Sequence, residues 1–266
     1  MKLIDYHTHL HDFEEVEISK VILRANQAKV VVIITAGTSI ESSVKAINLS
    51  KKYPQVFPGV GVHPNELHTG FSGESANRVL ELASLDEVVM ISEIGLDFME
   101  SSPDRAVQYK AFRSQIGIAR ELSLPIVFHC REAYHDVIRV LKEERAFEVG
   151  GAMHYFQGDK FIANQLIDLG FYVSLGRPLL RMHDLQKVAL NIPTNRILLE
   201  TDSFPQPFKK NRANWTEPRH IADVAAEVAR IKDIDISEVA NITSNNALRM
   251  LQNTLPIKTY FQDISL

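Results

Sequence analysis

Short apolar runs alternate along this chain with longer amphipathic stretches, and the alternation repeats eight times. The apolar runs cover residues 2–7, 30–35, 56–62, 88–94, 125–129, 149–155, 171–175 and 196–201, and they are rich in Val, Ile, Leu and Phe. Most are continuous and do not alternate apolar with polar. That pattern is expected of a parallel sheet with helices covering both faces. Between them, helical periodicity predicts helices over 18–28, 39–51, 74–85, 104–122, 131–145, 159–169, 183–190 and 217–232, with an extra one over 237–251. The last is read as starting at Ser237, a cap residue followed by the acidic Glu238.

Eight strand–helix units over about 250 residues match a (β/α)8 TIM barrel. A doubly wound open sheet is the competing layout, and it usually carries a Gly-rich phosphate loop after its first strand. None occurs here. The expectation is therefore a single-domain α/β barrel over 1–252, followed by a tail, 253–266, that is partly apolar but has no clear period. The tail either docks on the barrel or meets another chain.

Composition narrows the field. Of 266 residues, 45% are hydrophobic, enough for a large core, and the net charge of −4 gives no global attraction to nucleic acid or to anionic membranes. Any phosphate chain must be held by a local basic patch or by metal. The single cysteine, Cys130, has no partner in the chain, which points to a reducing compartment. No apolar stretch approaches a membrane span and no signal peptide is evident, so no membrane association and a cytoplasmic location are expected.

The chemistry lies at the strand ends. In this architecture the C-terminal ends of the strands converge on one mouth. His7 and His9 close the first run, Glu93 the fourth, His129 the fifth, His154 the sixth and Asp202 the eighth. Alternate residues of a strand share a side, so His7 and His9 are expected to face one point. Singly, each residue has an ordinary explanation: a satisfied polar histidine, or an acid that caps the next helix. As a set of imidazoles and carboxylates they suit zinc, manganese or magnesium. The set divides between two divalent ions, His7, His9 and Asp202 on one, His129 and His154 on the other, with Glu93 bridging. Two ions so placed can share a water and hold a phosphoryl oxygen. Asp202 is the expected proton acceptor, and Asp202 and Glu93 the catalytic carboxylates.

These residues carry a resemblance. Asp5-Tyr6-His7-Thr8-His9-Leu10, Gly61-Val62-His63-Pro64, Ser92-Glu93-Ile94-Gly95-Leu96-Asp97, Phe128-His129-Cys130-Arg131, His154-Tyr155-Phe156-Gln157-Gly158 and Leu199-Glu200-Thr201-Asp202-Ser203 occur in order. Arg196-Ile197-Leu198 and Asn245-Asn246-Ala247 also fit. Over roughly residues 2–252 the chain resembles the TatD family of metal-dependent deoxyribonucleases, within the wider amidohydrolase-type barrel superfamily. The resemblance implies a barrel, a divalent-metal site at the six positions above and exonuclease-type cleavage of DNA, single-stranded DNA being the expected substrate. Departures occur at Asn65, Phe98, Tyr155-Phe156-Gln157 and 211–218. None touches a predicted ligand, so they bear on substrate choice.

Other residues are candidates for substrate binding. His63 is placed to donate to a phosphate or a leaving oxygen, or to support a ligand. Arg131 offers a planar fork to phosphate, or a salt bridge to Glu132. Lys209, Lys210 and Arg212, with Trp215, would give single-stranded nucleic acid both cations and a stacking face, and Arg177 and Arg181 extend the patch. The plain alternative is a solvated loop. Two other functional classes stay open. One is an amidohydrolase acting on a small amide, ester or lactone; many such relatives bridge their metals with a carboxylated lysine late in the fourth strand, where this chain has Glu93. The other is a non-catalytic component of a multiprotein system, joined to a protein partner through the tail.

Overall fold

The computed structural model describes residues 1–251 together with 256, 257, 259 and 260. Eight parallel strands form one sheet in the order of the chain, β1 (Leu3–Thr8), β2 (Val30–Ala36), β3 (Val56–Val60), β4 (Met90–Asp97), β5 (Ile126–Arg131), β6 (Gly151–Met153), β7 (Tyr172–Leu175) and β8 (Ile197–Leu199). A parallel bridge between Thr8 and Ser203 brings β8 back to β1. Around it the Asp202 N–H donates to His7 O and the His9 N–H to Ser203 O. The molecule is a (β/α)8 barrel, as the eight-fold alternation predicts.

The helices α1 (Glu15–Gln27), α2 (Ile40–Ser50), α3 (Gly73–Ala83), α4 (Arg105–Leu122), α5 (Tyr134–Glu143), α6 (Lys160–Asp168), α7 (His183–Asn191) and α8 (Ile221–Lys232) cover the ring, and α9 (Ile236–Met250) adds an extra helix. Their starts follow from caps. Ser39 accepts from Ser42 N–H, Asp104 from Ala106 and Val107 N–H, and Asp159 from Ile162 N–H. The start read at Ser237 is corrected: α9 is capped by Asp235, whose carboxylate takes the Ser237 N–H, leaving Ser237 inside the first turn. The stretch read as helix over 131–145 begins later, at Tyr134, because β5 runs on through Arg131 and Glu132 takes a left-handed conformation.

Two apolar clusters result. One, including Leu3, Ile33, Ile91, Ile94, Phe112 and Phe128, fills the layer between strands and helices. The other, including Ile4, Tyr6, Val32, Ile34, Met90, Val127 and Leu198, fills the ring and continues to Met250, Leu251 and Ile257. The tail lies largely outside the described residues. Of its described part, Ile257 is buried and the Tyr260 ring meets Phe57, with centroids 5.6 Å apart.

Two irregularities in strand pairing set the site. Asp5 pairs with Ile33 and Thr8 with Thr35, so β1 gains one residue on β2. Ile91 pairs with Ile126 and Ile94 with Phe128, so β4 gains one on β5. Ile4 and Tyr6 face into the ring, and unbroken alternation from them would turn His7 and His9 outward with Leu3 and Asp5. The extra residue reverses that parity, and Thr8 instead donates its hydroxyl to Ile34 O at 2.9 Å. Bulges beside active sites commonly re-aim side chains in this way. In β4, Met90 lies inside and both Ile91 and Ile94 outside, so the slip is what admits Glu93 to the centre. Gly95, at φ 139°, allows β4 to pass β5 there; a Cβ would run into the carbonyl of His129.

Candidate metal centre

Side chains from β1, β4, β5, β6 and the loop after β8 converge at the C-terminal mouth. Glu93 is at the centre, 3% exposed. Its Oε2 lies 3.4 Å from His7 Nε2 and 3.7 Å from His9 Nε2. Its Oε1 lies 3.2 Å from His129 Nδ1, 3.3 Å from His154 Nε2 and 3.5 Å from His63 Nε2. Asp202 Oδ1 stands 3.3 Å from His9 Nε2 and 3.9 Å from His7 Nε2. Each oxygen of one carboxylate thus faces its own group of nitrogens. All of the ligand-type residues expected from the sequence, His7, His9, Glu93, His129, His154 and Asp202, are brought together.

The donor set fits divalent cations. Two ligand atoms each about 2.1 Å from a shared ion, at a tetrahedral angle, stand about 3.4 Å apart, which is the spacing seen here. Both ring nitrogens of His7 are buried without a hydrogen-bond partner, a costly arrangement unless a cation takes one of them. His9 and His129 each have one nitrogen hydrogen-bonded and the other turned to the centre, while His154 has one beside a buried carboxylate. His9 Nδ1–H donates to Ala36 O at 2.9 Å. His129 Nε2 meets Asp97 Oδ2 at 2.9 Å, and His154 Nδ1 meets Glu200 Oε1 at 3.0 Å. Such partners fix the tautomer that presents a bare nitrogen to a metal.

Electrostatics agrees. Burial opposes ionisation of Asp202, but the His9 hydrogen bond and the charges of His154, His9 and His7 outweigh it and bring the carboxyl to about 2. Burial likewise opposes ionisation of Glu93, yet the surrounding imidazoles hold it well below the usual carboxylate range. Burial disfavours charge on His154 and His9, and the acids nonetheless raise them to about 10 and about 9. The acids are held ionised and demand positive charge beside them.

Asp97 and Glu200 are not among the ligand-type residues expected from the sequence, yet each orients a ligand-type histidine. Asp97 also accepts from Met99 N–H, Ser102 Oγ and Asn65 Nδ2, and Glu200 from Ser174 Oγ at 2.6 Å and Tyr155 N–H at 2.8 Å. Their signal was spacing: Glu200 stands two before Asp202 at the end of the last strand, and Asp97 closes the run begun at Glu93.

His63 differs from its neighbours. Its Nδ1 accepts the Asn65 N–H at 3.0 Å, so in the neutral ring the proton sits on Nε2, the atom aimed at Glu93. Burial pushes this imidazole down to about 3, keeping it neutral. His63 is therefore an N–H donor at the mouth, and the tautomer that would bind metal conflicts with Asn65.

A cavity of about 840 Å³ opens from the centre and is lined by His9, His63, Glu93, His129, His154 and Asp202 together with Arg131, Tyr155, Arg181, Met182 and Phe204. Arg131 is exposed on its wall, and its side chain makes no hydrogen bond or ion pair with the described residues, Glu132 included. Lys209, Lys210 and Arg212 do not line it. The Arg212 guanidinium stacks over Trp215 at 4.5 Å and pairs with Glu217 at 2.9 Å and Glu17 at 3.2 Å, so it serves the packing of its loop. Lys209 donates to Asn214 O, and Lys210 is exposed.

Comparison with known proteins decides the family. The model of TatD related DNase matches residues 4–252. The chain belongs to that family. It is thereby a metal-dependent hydrolase, the class that the strand-end residues predict. An uncharacterized metal-dependent hydrolase of Bacillus subtilis, YabD, is 34% identical over 94% of this chain and 99% of its own. A 3′-5′ ssDNA/RNA exonuclease TatD from Edwardsiella piscicida is 30% identical over 89% of this chain and 94% of its own. Among solved structures, the TatD homologue YJJV of Escherichia coli superposes with a TM-score of 0.85 at 26% identity, covering 93% of this chain and 97% of its own. No helix among the described residues is long and apolar enough to cross a membrane.

Proposed function

We propose that this protein hydrolyses phosphodiester bonds of single-stranded nucleic acid, as an exonuclease, with divalent ions that the side chains around Glu93 would hold. The observation that carries the reading is the division of the Glu93 carboxylate, with Oε2 facing His7 and His9 and Oε1 facing His129 and His154. His7, His9 and Asp202 would hold one ion, and His129 and His154 the other. Ions held there supply Lewis acidity toward a phosphoryl oxygen and lower the pKa of water. A relative of similar length carries the name of an exonuclease acting on single-stranded DNA and RNA, which supports the substrate class.

The protein's own groups do the rest. Asp202, ionised at neutral pH and open to the cavity, accepts the proton of the attacking water. His63 Nε2–H donates to a phosphoryl or leaving oxygen, a task open to a neutral imidazole fixed as this tautomer. Arg131, free of a carboxylate partner, offers two parallel N–H groups to a phosphate. Asp97 and Glu200 keep the imidazoles of His129 and His154 aligned.

The test is turnover of labelled single-stranded DNA and RNA, and of a panel of amides and lactones, with and without chelator, alongside elemental analysis. Asp202→Asn is expected to lower nucleic-acid turnover by at least about 10²-fold with an unchanged circular dichroism spectrum. Full activity in that variant, or chelator-sensitive turnover confined to the lactones, overturns the reading.

A further inference from the structure

Beside the metal-binding groups lies a second concentration of charge. Arg177 and Arg181 flank the short turn after β7, and Lys209 comes from the loop after β8. The two arginines bracket that one turn, and the Lys209 ammonium is pushed down by burial and by the charges of both. Little offsets these charges. Arg177 has one carboxylate, the exposed Asp223, at 3.6 Å, and its Nη1 is buried with no hydrogen bond. Arg181 and Lys209 pair with no carboxylate among the described residues. Assembling uncompensated like charges costs free energy, and an anion recovers it.

The cluster also connects to the reaction centre. Arg181 lines the same cavity as Asp202. Tyr155 lines that cavity too, and its ring packs against Gly176, the residue before Arg177. Tyr155, Met182 and Phe204 bring aromatic and apolar surface to the cavity lining.

From this juxtaposition we infer that Arg177, Arg181 and Lys209 form an anion subsite for the phosphodiester next to the scissile one, with the intervening base against Tyr155 and Phe204. Phosphates want fixed cations and bases want a stacking face, and a single strand presents both in alternation. The inference rests on the nucleic-acid reading above. It predicts a preference for polymers, because a one-phosphate substrate cannot reach the subsite. It also moves the basic contact away from Lys210 and Arg212.

The experiment pairs two substrates with two variants, Arg181→Glu and the triple change Arg177→Glu, Arg181→Glu, Lys209→Glu, on the metal-loaded protein. A fluorescent twelve-residue oligodeoxythymidine probes the subsite, and bis(4-nitrophenyl) phosphate probes the metal centre alone. The expected result is a KM for the oligonucleotide raised about tenfold or more by Arg181→Glu, with turnover of the small diester unchanged. Anisotropy with the phosphorothioate form of the same oligonucleotide should show weaker binding and a salt slope shallower by about 0.7 per lost contact. Unchanged KM and salt slope in both variants overturn the subsite, as does a parallel loss of small-diester turnover. Wild-type protein that cleaves the diester but does not bind the oligonucleotide also overturns it, leaving hydrolysis intact. Rim-dependent binding without cleavage of either substrate supports the subsite and sinks the nuclease reading.

Discussion

At the scale of single residues, the metal-binding potential of the mouth depends as much on the groups behind the imidazoles as on the imidazoles. His129 can present Nδ1 to the centre only while Nε2 is held, and Asp97 holds it at 2.9 Å. Asp97→Asn keeps the volume but replaces an acceptor-only group with an amide, which can turn a donor toward the ring. Removing such partners typically costs about 10–100-fold in metal affinity or activity. The expected outcome is a loss of that order in metal affinity by competition with a chelating dye, with an unchanged fold. Affinity equal to wild type would show that Asp97 serves the Ser102 turn and not the site. His63 makes the complementary point: the Asn65 N–H on Nδ1 makes it a donor, although its Nε2 lies as close to Glu93 as do the ligand-type nitrogens. Nearness alone does not make a ligand; the tautomer decides.

At the scale of elements, the loop between β8 and α8 is tied to α1 by one buried carboxylate. Glu217 accepts two hydrogen bonds from Arg24, at 2.7 and 2.8 Å, and one from Arg212 at 2.9 Å, with Arg219 at 3.3 Å. Arg212 in turn carries Trp215, whose ring lies 6.1 Å from Phe13. Burial raises the Glu217 carboxyl, but the Arg24 and Arg212 contacts more than offset this, and the group sits below the ordinary glutamate value. A depressed acid stabilises the folded state above its unfolded pKa, about 4.3 for glutamate. That contribution is lost as the pH falls through the lower, folded value. Glu217→Gln is therefore expected to cost about 1–3 kcal/mol at pH 7 in urea unfolding. The difference from wild type should shrink as the pH is taken below about 4. A difference that persists unchanged in acid would assign the cost to packing.

At the scale of the whole molecule, one closed ring gathers ionisable groups from β1, β4, β5, β6 and beyond β8 around a largely buried centre at the base of the cavity. Glu93 and Asp202 lie with five imidazoles there, an assembly that holds only while the ring is closed. Divalent ions that bind the folded ring and not the unfolded chain must stabilise it by mass action, about 2.7 kcal/mol at one hundred times the Kd. For a chain of this size that is a Tm shift of roughly 5–10 °C. Calorimetry before and after chelation is expected to show a drop of this order, restored by zinc, manganese or magnesium. Equal Tm values in both states would mean the site binds no ion in the folded protein.

How much of this was legible in the chain differs by level. The barrel was, because eight apolar runs separated by amphipathic helices leave few other ways to bury both faces of a parallel sheet. The histidines and acids at the strand ends were legible too, since the architecture dictates that strand ends meet. Arg212 could not be read correctly from charge alone, because its partners Glu217 and Glu17 come from different parts of the chain. Nor could the side to which His7, His9 and Glu93 point. Strict alternation from Ile4 and Tyr6 would turn His7 outward, and only the extra residue in the β1–β2 pairing, with its counterpart in β4–β5, aims these groups at one another. The sequence by itself determined which residues arrive at the mouth of the ring. The register of neighbouring strands, a property of two segments at once, decided which way they face and which nitrogen each leaves bare.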